Sequence, residues 1–175
     1  VQVKDGFPVR TLHTPVCLKV TGYTPEEFDE DPFLWFNMVV SEDQELVRDY
    51  VSRILKGEKV DRIEHRIRRK DGSIRWVSNA AVLNQDAKGR LISYDGVIRD
   101  ITGRKHAEEA LRASEELYRS LFENMPSGFA YCEMYFDVNN RPRDFTYRVV
   151  NNAFESLTGL RNVVGRKASE VTPGI

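Results

Sequence analysis

His13 and Cys17 stand four residues apart and could begin a metal site, but a metal needs further ligands nearby and none stands out. A structural role is the simpler reading of both. Cys132 lies far along the chain, and no Cys-x-x-Cys pair is formed. The two cysteines read as free thiols of a reducing cytosol, although a pair alone leaves a disulfide open. Arg62, Arg66, Arg68, Arg69, Lys70 and Arg75 form a basic stretch that could touch nucleic acid. Asp61, Glu64 and Asp71 interleave it, which points to a solvated sheet face instead. Trp76 shares a strand face with Ile74 and Ser78, where it either lines a pocket or packs the sheet. No Ser-His-Asp set, nucleotide loop or paired-carboxylate site is visible.

The chain has 175 residues, 41% hydrophobic and 30% charged, which allows one packed domain or two small ones. A formal net charge of -1 gives no general electrostatic reason to bind nucleic acid. No apolar run approaches the roughly 20 residues of a membrane span, and the N-terminus has no signal-peptide architecture. A cytosolic stretch of a larger membrane protein would have the same composition.

Several elements must position these residues. Residues 1–12 read as two short strands around "KDG", a tight-turn signal. Gly22 ends a short helix, and Thr24-Pro25-Glu26-Glu27 is a capping box for another, which Asp31-Pro32 breaks. A helix from Ser41 carries Leu46, Val47, Tyr50, Val51 and Ile54 on one face, and Gly57 stops it. From Val60 the period becomes two. Ile63, His65 and Ile67 alternate with Arg62, Glu64, Arg66 and Arg68, and Ile74, Trp76, Ser78 and Ala80 with Arg75, Val77, Asn79 and Ala81. "KDGS" and "DAKG" turn the chain, and "RLISYDGVIRDIT" is the last strand. Two strands, several helices and three more strands make one five-stranded sheet with helices on one face, an α+β layout. A charged helix follows, with Thr102 as N-cap and Pro126 as terminator. Ala107, Leu111, Ser114, Tyr118 and Leu121 form a heptad seam along it, by itself a weak dimeriser.

The chain then partly repeats. "RTLHTPVCLKVTGY" and "RVVNNAFESLTGL" both read strand, short helix, Thr-Gly, with Thr21-Gly22 matching Thr158-Gly159. "YCEMYFDVNNRPRDFTYRVV" reads as two strands around an Asn-Asn turn. The expected division is residues 1–101, a linker helix over 102–126, and the start of a second copy over 127–175. The second copy stops before counterparts of the long helix and last three strands, and the first begins inside its opening strand, so a fragment of a longer protein is expected. Unpartnered opening strands in the second copy predict self-association through an exposed edge.

Asp71-Gly72, Trp76, Gly89, Asp100-Ile101-Thr102, Arg104-Lys105, Glu108 and Leu111, in that order and spacing, resemble the C-terminal half of a PAS sensor domain and the helix after it. "VTGYTPEEF" is similar to the family's first helices, and "NNAFESLTGL" to the same place in a second copy. The resemblance covers nearly the whole chain. It implies a five-stranded antiparallel sheet of order 2-1-5-4-3 cupping short helices. It also implies signal sensing and dimerisation in a bacterial signalling protein, with an output domain further along the chain. That host would be a sensor histidine kinase, with a diguanylate cyclase as second choice; this segment itself would not be an enzyme. Fold does not define what is sensed.

The apolar pattern supplies candidate walls for a ligand cup, with core packing as each one's alternative role: Val20, Phe28, Trp35, Phe36, Met38, Ile67, Trp76 and Ile98. Asp100, Ile101 and Thr102 sit where the last strand becomes the helix, so a displaced strand should drag the helix with it. The cofactor stays unidentified. The flavin-binding branch carries a reactive cysteine in an Asn-Cys-Arg motif that is absent here, and Cys17 lies too early. Haem-binding members supply a histidine from the long helix, yet "SEDQELVRDYVSRILKG" has none. Both absences argue against those chromophores. His106 is followed by "AEEALRASEEL", which resembles the PAS linker rather than a phosphoacceptor box. The expected partners are a second copy and the output domain, with neither nucleic acid nor membrane contacted. The rival reading is a dimerisation spacer that binds nothing.

Overall fold

A computed structural model describes residues 1–4 and 7–172. The expected Asp5-Gly6 turn lies outside the described residues. Strands β1 (Gln2–Lys4) and β2 (Phe7–Arg10) open the chain. Short helices α1 (Cys17–Thr21), α2 (Pro25–Glu30) and α3 (Leu34–Asn37) follow, then a 3₁₀ turn over Ser41–Asp43 and helix α4 (Gln44–Leu55). Strands β3 (Ile63–Arg68), β4 (Ile74–Gln85) and β5 (Leu91–Asp100) complete an antiparallel sheet of order β2-β1-β5-β4-β3, as the resemblance implies. Helix α5 (Thr102–Glu123) leaves β5 after a single residue.

Local chemistry accounts for most of these boundaries. The Thr24 hydroxyl accepts the Glu27 N–H at 3.4 Å, and the Glu27 carboxylate accepts the Thr24 N–H at 3.0 Å, so the capping box forms. The Thr21 hydroxyl donates to the Cys17 carbonyl and accepts the Tyr23 N–H, while Gly22 takes a left-handed φ of 80° that ends α1. At the β3–β4 hairpin, Asp71 accepts both the N–H and the hydroxyl of Ser73, and Gly72 sits at φ 83°. Ser41 begins a 3₁₀ turn rather than the helix itself. Val47, Tyr50 and Ile54 are the buried stripe of α4, whereas Leu46, expected on that face, points outward.

The sheet edge at β3 is covered. The Arg66 carbonyl accepts from Val40 N–H and the Met38 carbonyl accepts from Arg68 N–H, at 3.0 and 2.7 Å. Asp43 accepts the Arg66 N–H at 2.8 Å. The outward N–H groups of Arg66 and Arg68 on this edge strand are therefore satisfied within the fold.

The described chain forms two compact units, one from Val1 to Glu108 and one from Glu109 onward. The second contains the later part of α5, a two-stranded sheet of β6 (Ala130–Phe136) and β7 (Pro142–Val150), and helices α6 (Asn152–Thr158) and α7 (Ala168–Val171). Its core is Tyr147, Val163 and Ala168, with Phe145, Phe154 and Leu160 packed against them. The Thr-Gly ending recurs: the Thr158 hydroxyl donates to the Phe154 carbonyl and accepts the Leu160 N–H, and Gly159 has φ 74°. The repeat read in the sequence is thus a repeat of hydrogen bonds.

Candidate functional site

The helix-side face of the first unit carries the apolar cup. Phe28, Met38, Ile67 and Val77 are buried against one another, with Val20, Tyr23, Leu34 and Trp35 packed around them. Register explains the membership. Directly opposed residues of an antiparallel pair share a face, and His65, Val77 and Asp100 oppose one another across β3, β4 and β5. Among the expected wall residues, Val20, Phe28, Trp35, Met38 and Ile67 come together.

Phe36, Ile98 and Trp76 do not join that cluster. Phe36 turns edge-on to Trp35 and lies under the Arg48 guanidinium, at 5.6 and 5.5 Å. Ile98 opposes Asn79 on the helix-side face but remains 44% exposed. Trp76 opposes Arg66 and projects from the outer face, one position out of phase with Val77. A wall containing both Ile67 and Trp76 therefore cannot form, because the pleat sends them to opposite sides. Val77 is the residue the alternation offered in its place.

The cup also holds a group the sequence reading passed over. His65 is 3% exposed, and its Nδ1 has no hydrogen-bond partner among the described residues. His13 stacks on Phe28 at 4.0 Å, and among the described residues its Nδ1 is likewise unpaired. Burial pushes both imidazoles below the ordinary histidine value, with Asp43 opposing this at His65 and Asp29 at His13. The unfolded chain then binds protons that the folded chain refuses, so stability should fall as pH drops through about 6.5 and be unaffected above it. Urea midpoints of the first unit between pH 8 and 5.5 should show this fall, with a shallower slope in His65→Gln. Parallel slopes in the two proteins would remove His65 as the cause.

The second part of the site is the junction of β5 and α5. The Trp76 carbonyl accepts the Ile101 N–H at 2.9 Å, and the Thr102 hydroxyl accepts the Trp76 N–H at 3.0 Å. Ile101 and Thr102 are both buried. Thr102 is not the N-cap expected of it. It is the first helical residue, and the Asp100 carboxylate accepts its N–H at 2.8 Å. Burial works to raise the Asp100 carboxyl, but the Thr102 bonds and the nearby Arg75 and Arg69 outweigh it and hold the group low. Ile101 and Thr102 are thus both pinned to the backbone of one β4 residue, Trp76, through its C=O and its N–H.

Charges surround the junction. Glu64 accepts from Arg104 at 2.6 Å and Lys105 at 2.8 Å, and these cations, Lys105 foremost, hold its carboxyl below the usual range. Arg66 is bound by Asp43, and Arg69 by Asp71 and the Val20 carbonyl, so much of the basic stretch serves contacts within the fold. Beside the junction the outer face has a groove of about 530 Å³, lined by Arg62, Ser78, Ala80, Val97, Arg99 and Gly103 among others. Further along α5, Leu111, Tyr118 and Leu121 of the heptad seam are exposed, as is Leu117. Cys17 and Cys132 are free, and burial raises both thiols, which lowers their reactivity. Among the described residues, no helix is long and apolar enough to cross a membrane.

Sheet order, helix-side core and a strand running directly into a long helix define a small α+β module of the kind found in signalling proteins. The chain matches the family model described as PAS fold over residues 11–98, and the one described as PAS domain over residues 116–175. It belongs to the PAS family, with one domain followed by the start of a second. It is 30% identical over 134 residues, 76% of this chain, to the methyl sulfide methyltransferase-associated sensor of Methanosarcina acetivorans, and spans 13% of that relative's length. A crystal structure of a sensory box histidine kinase/response regulator from Burkholderia thailandensis is 26% identical, covering 62% of this chain and 80% of that one, with a TM-score of 0.47. The N-terminal domain of a diguanylate cyclase with PAS/PAC sensor from Marinobacter aquaeolei is 23% identical, covering 53% and 84%, with a TM-score of 0.46.

Proposed function

We propose that this chain is a sensing and dimerising segment of a larger cytoplasmic signalling protein. A ligand or partner engages the helix-side cup of the first unit, and α5 carries the resulting displacement toward an output domain, with a histidine kinase as our choice of output. One observation carries this reading: the backbone of a single residue, Trp76, holds both Ile101 after β5 and Thr102 at the start of α5. A shift of the sheet then moves the helix without an intervening loop. The name of the Methanosarcina relative, a sensor, supports the same reading. A ligand acts here only through its difference in affinity for two positions of the sheet.

The close packing of Ile67 and Val77 favours a second reading, a spacer that dimerises and binds nothing. Native mass spectrometry of the purified chain separates the two. A specific small molecule retained with the protein supports the sensor, and an empty, well-packed dimer supports the spacer.

Dimerisation has its own support in the exposed seam of α5 and in the exposed Tyr131 and Phe136 of the two-stranded β6–β7 sheet. Light scattering should report a dimer, and Leu111→Glu with Leu121→Glu should weaken it by about tenfold or more, since each loses apolar burial and adds a charge. A wild-type chain that stays monomeric at high concentration would exclude self-association.

A further inference from the structure

The ring of Trp76 is shared by two cations. Arg66 lies 5.6 Å from its centroid and Lys105 5.0 Å. Each cation has its own carboxylate. Asp43 accepts from the Arg66 guanidinium at 2.7 and 2.9 Å, and Glu64 accepts from Lys105 at 2.8 Å and from Arg104 at 2.6 Å. These contacts form a continuous row. It starts at the residue before α4, crosses β3, and ends in the first turn of α5. The carboxylates are partly shielded from water, Asp43 at 15% and Glu64 at 29% side-chain exposure, so their attraction is less screened than at an open surface.

Glu64 and Arg66 are two residues apart on the same face of β3, within reach of one another along a pleated strand. Asp43 draws Arg66 toward the sheet edge and leaves Glu64 to the two cations of α5. We propose that Asp43 sets how firmly α5 is clamped, by deciding which carboxylate Arg66 uses. When Asp43 withdraws, Arg66 turns to Glu64 and displaces Arg104 and Lys105 from it. A movement at the start of α4 thereby loosens the start of α5. This rests on the relay reading above and names a route for it, from the helical layer to the signalling helix around the edge of the sheet. The coupling is a competition for one carboxylate, so its sign is defined: losing Asp43 weakens the clamp only while Arg66 is present.

The test is amide hydrogen exchange, read by NMR on the 175-residue chain, at Lys105 and His106 in the first turn of α5. Asp43→Asn should speed their exchange about fivefold, and Glu64→Gln should do the same. The double variant should exchange no faster than Glu64→Gln alone, because both act through the same carboxylate. Adding Arg66→Gln to Asp43→Asn should return the rates toward wild type, which general unfolding of α4 would not allow. Multiplying effects in the double variant, or no rescue by Arg66→Gln, would overturn the proposal. If Asp43→Asn leaves α5 unchanged while Thr102→Val still loosens it, the row of charges fails and the relay through the Trp76 backbone stands.

Discussion

Replacing Asn151 with alanine is expected to lower the stability of the second unit by about 3 kcal/mol, the largest effect of any single polar side chain in it. Asn151 is 1% exposed and uses its whole amide. Its Nδ2 donates to the Phe122 carbonyl at 3.1 Å and the Ser127 carbonyl at 2.9 Å. Its Oδ1 accepts the Phe129 N–H at 2.8 Å and the Phe154 N–H at 3.0 Å, the latter capping α6. One side chain thus ties the last turn of α5 to the start of β6 and the start of α6. Alanine leaves these backbone groups without their partner in a poorly hydrated place, and each such loss is costly. Asn151→Asp gives the finer test. It keeps both acceptor bonds but sets a carboxylate oxygen against the two carbonyls, so it should destabilise even though aspartate is an equally good cap. Urea unfolding followed through the exchange of the Tyr147 amide, which donates to the Arg166 carbonyl, reads both variants. An aspartate variant as stable as wild type would mean that the two donor bonds contribute nothing.

The second large effect separates the two faces of the first unit. Ile67→Ala should cost about 3 kcal/mol, because a side chain only 2% exposed is removed from among Phe28, Met38 and Val77 and leaves a cavity. Trp76→Ala removes a larger side chain yet should cost only about 1–2 kcal/mol, since its ring lies on the outer face and its main interactions are with two cations. The bonds to Ile101 and Thr102 come from the Trp76 backbone and survive the substitution. The damage from Trp76→Ala should therefore appear as faster exchange in the first turn of α5, and that from Ile67→Ala as a lower urea midpoint for the whole unit. A larger loss of global stability in Trp76→Ala than in Ile67→Ala would reverse the assignment of the faces.

Both results bear on signalling. On the proposed relay, the helix-side face would supply stability and the candidate cup, while the Trp76 ring on the outer face would add to the hold that its backbone has on α5.

The amino-acid sequence by itself determined the parts whose causes lie within a few residues. The Thr24–Glu27 box, the Asp71-Gly72 turn, the two Thr-Gly helix ends and the alternation of β3 and β4 were all legible, because each is made by neighbours in the chain. The tertiary structure alone decided which phase of β4 meets the helices. Alternation separates Ile74 and Trp76 from Val77 and Ala81 but does not say which set is covered, since both carry apolar side chains. It also decided that Thr102 does not cap α5: its hydroxyl is drawn to a strand 26 residues earlier, and Asp100 accepts its N–H. Asn151 could be seen as part of a repeat, but not as a bracket for backbone groups up to 29 residues away. Bonds between distant residues depend on how the strands have already paired, and no local pattern in the chain encodes that.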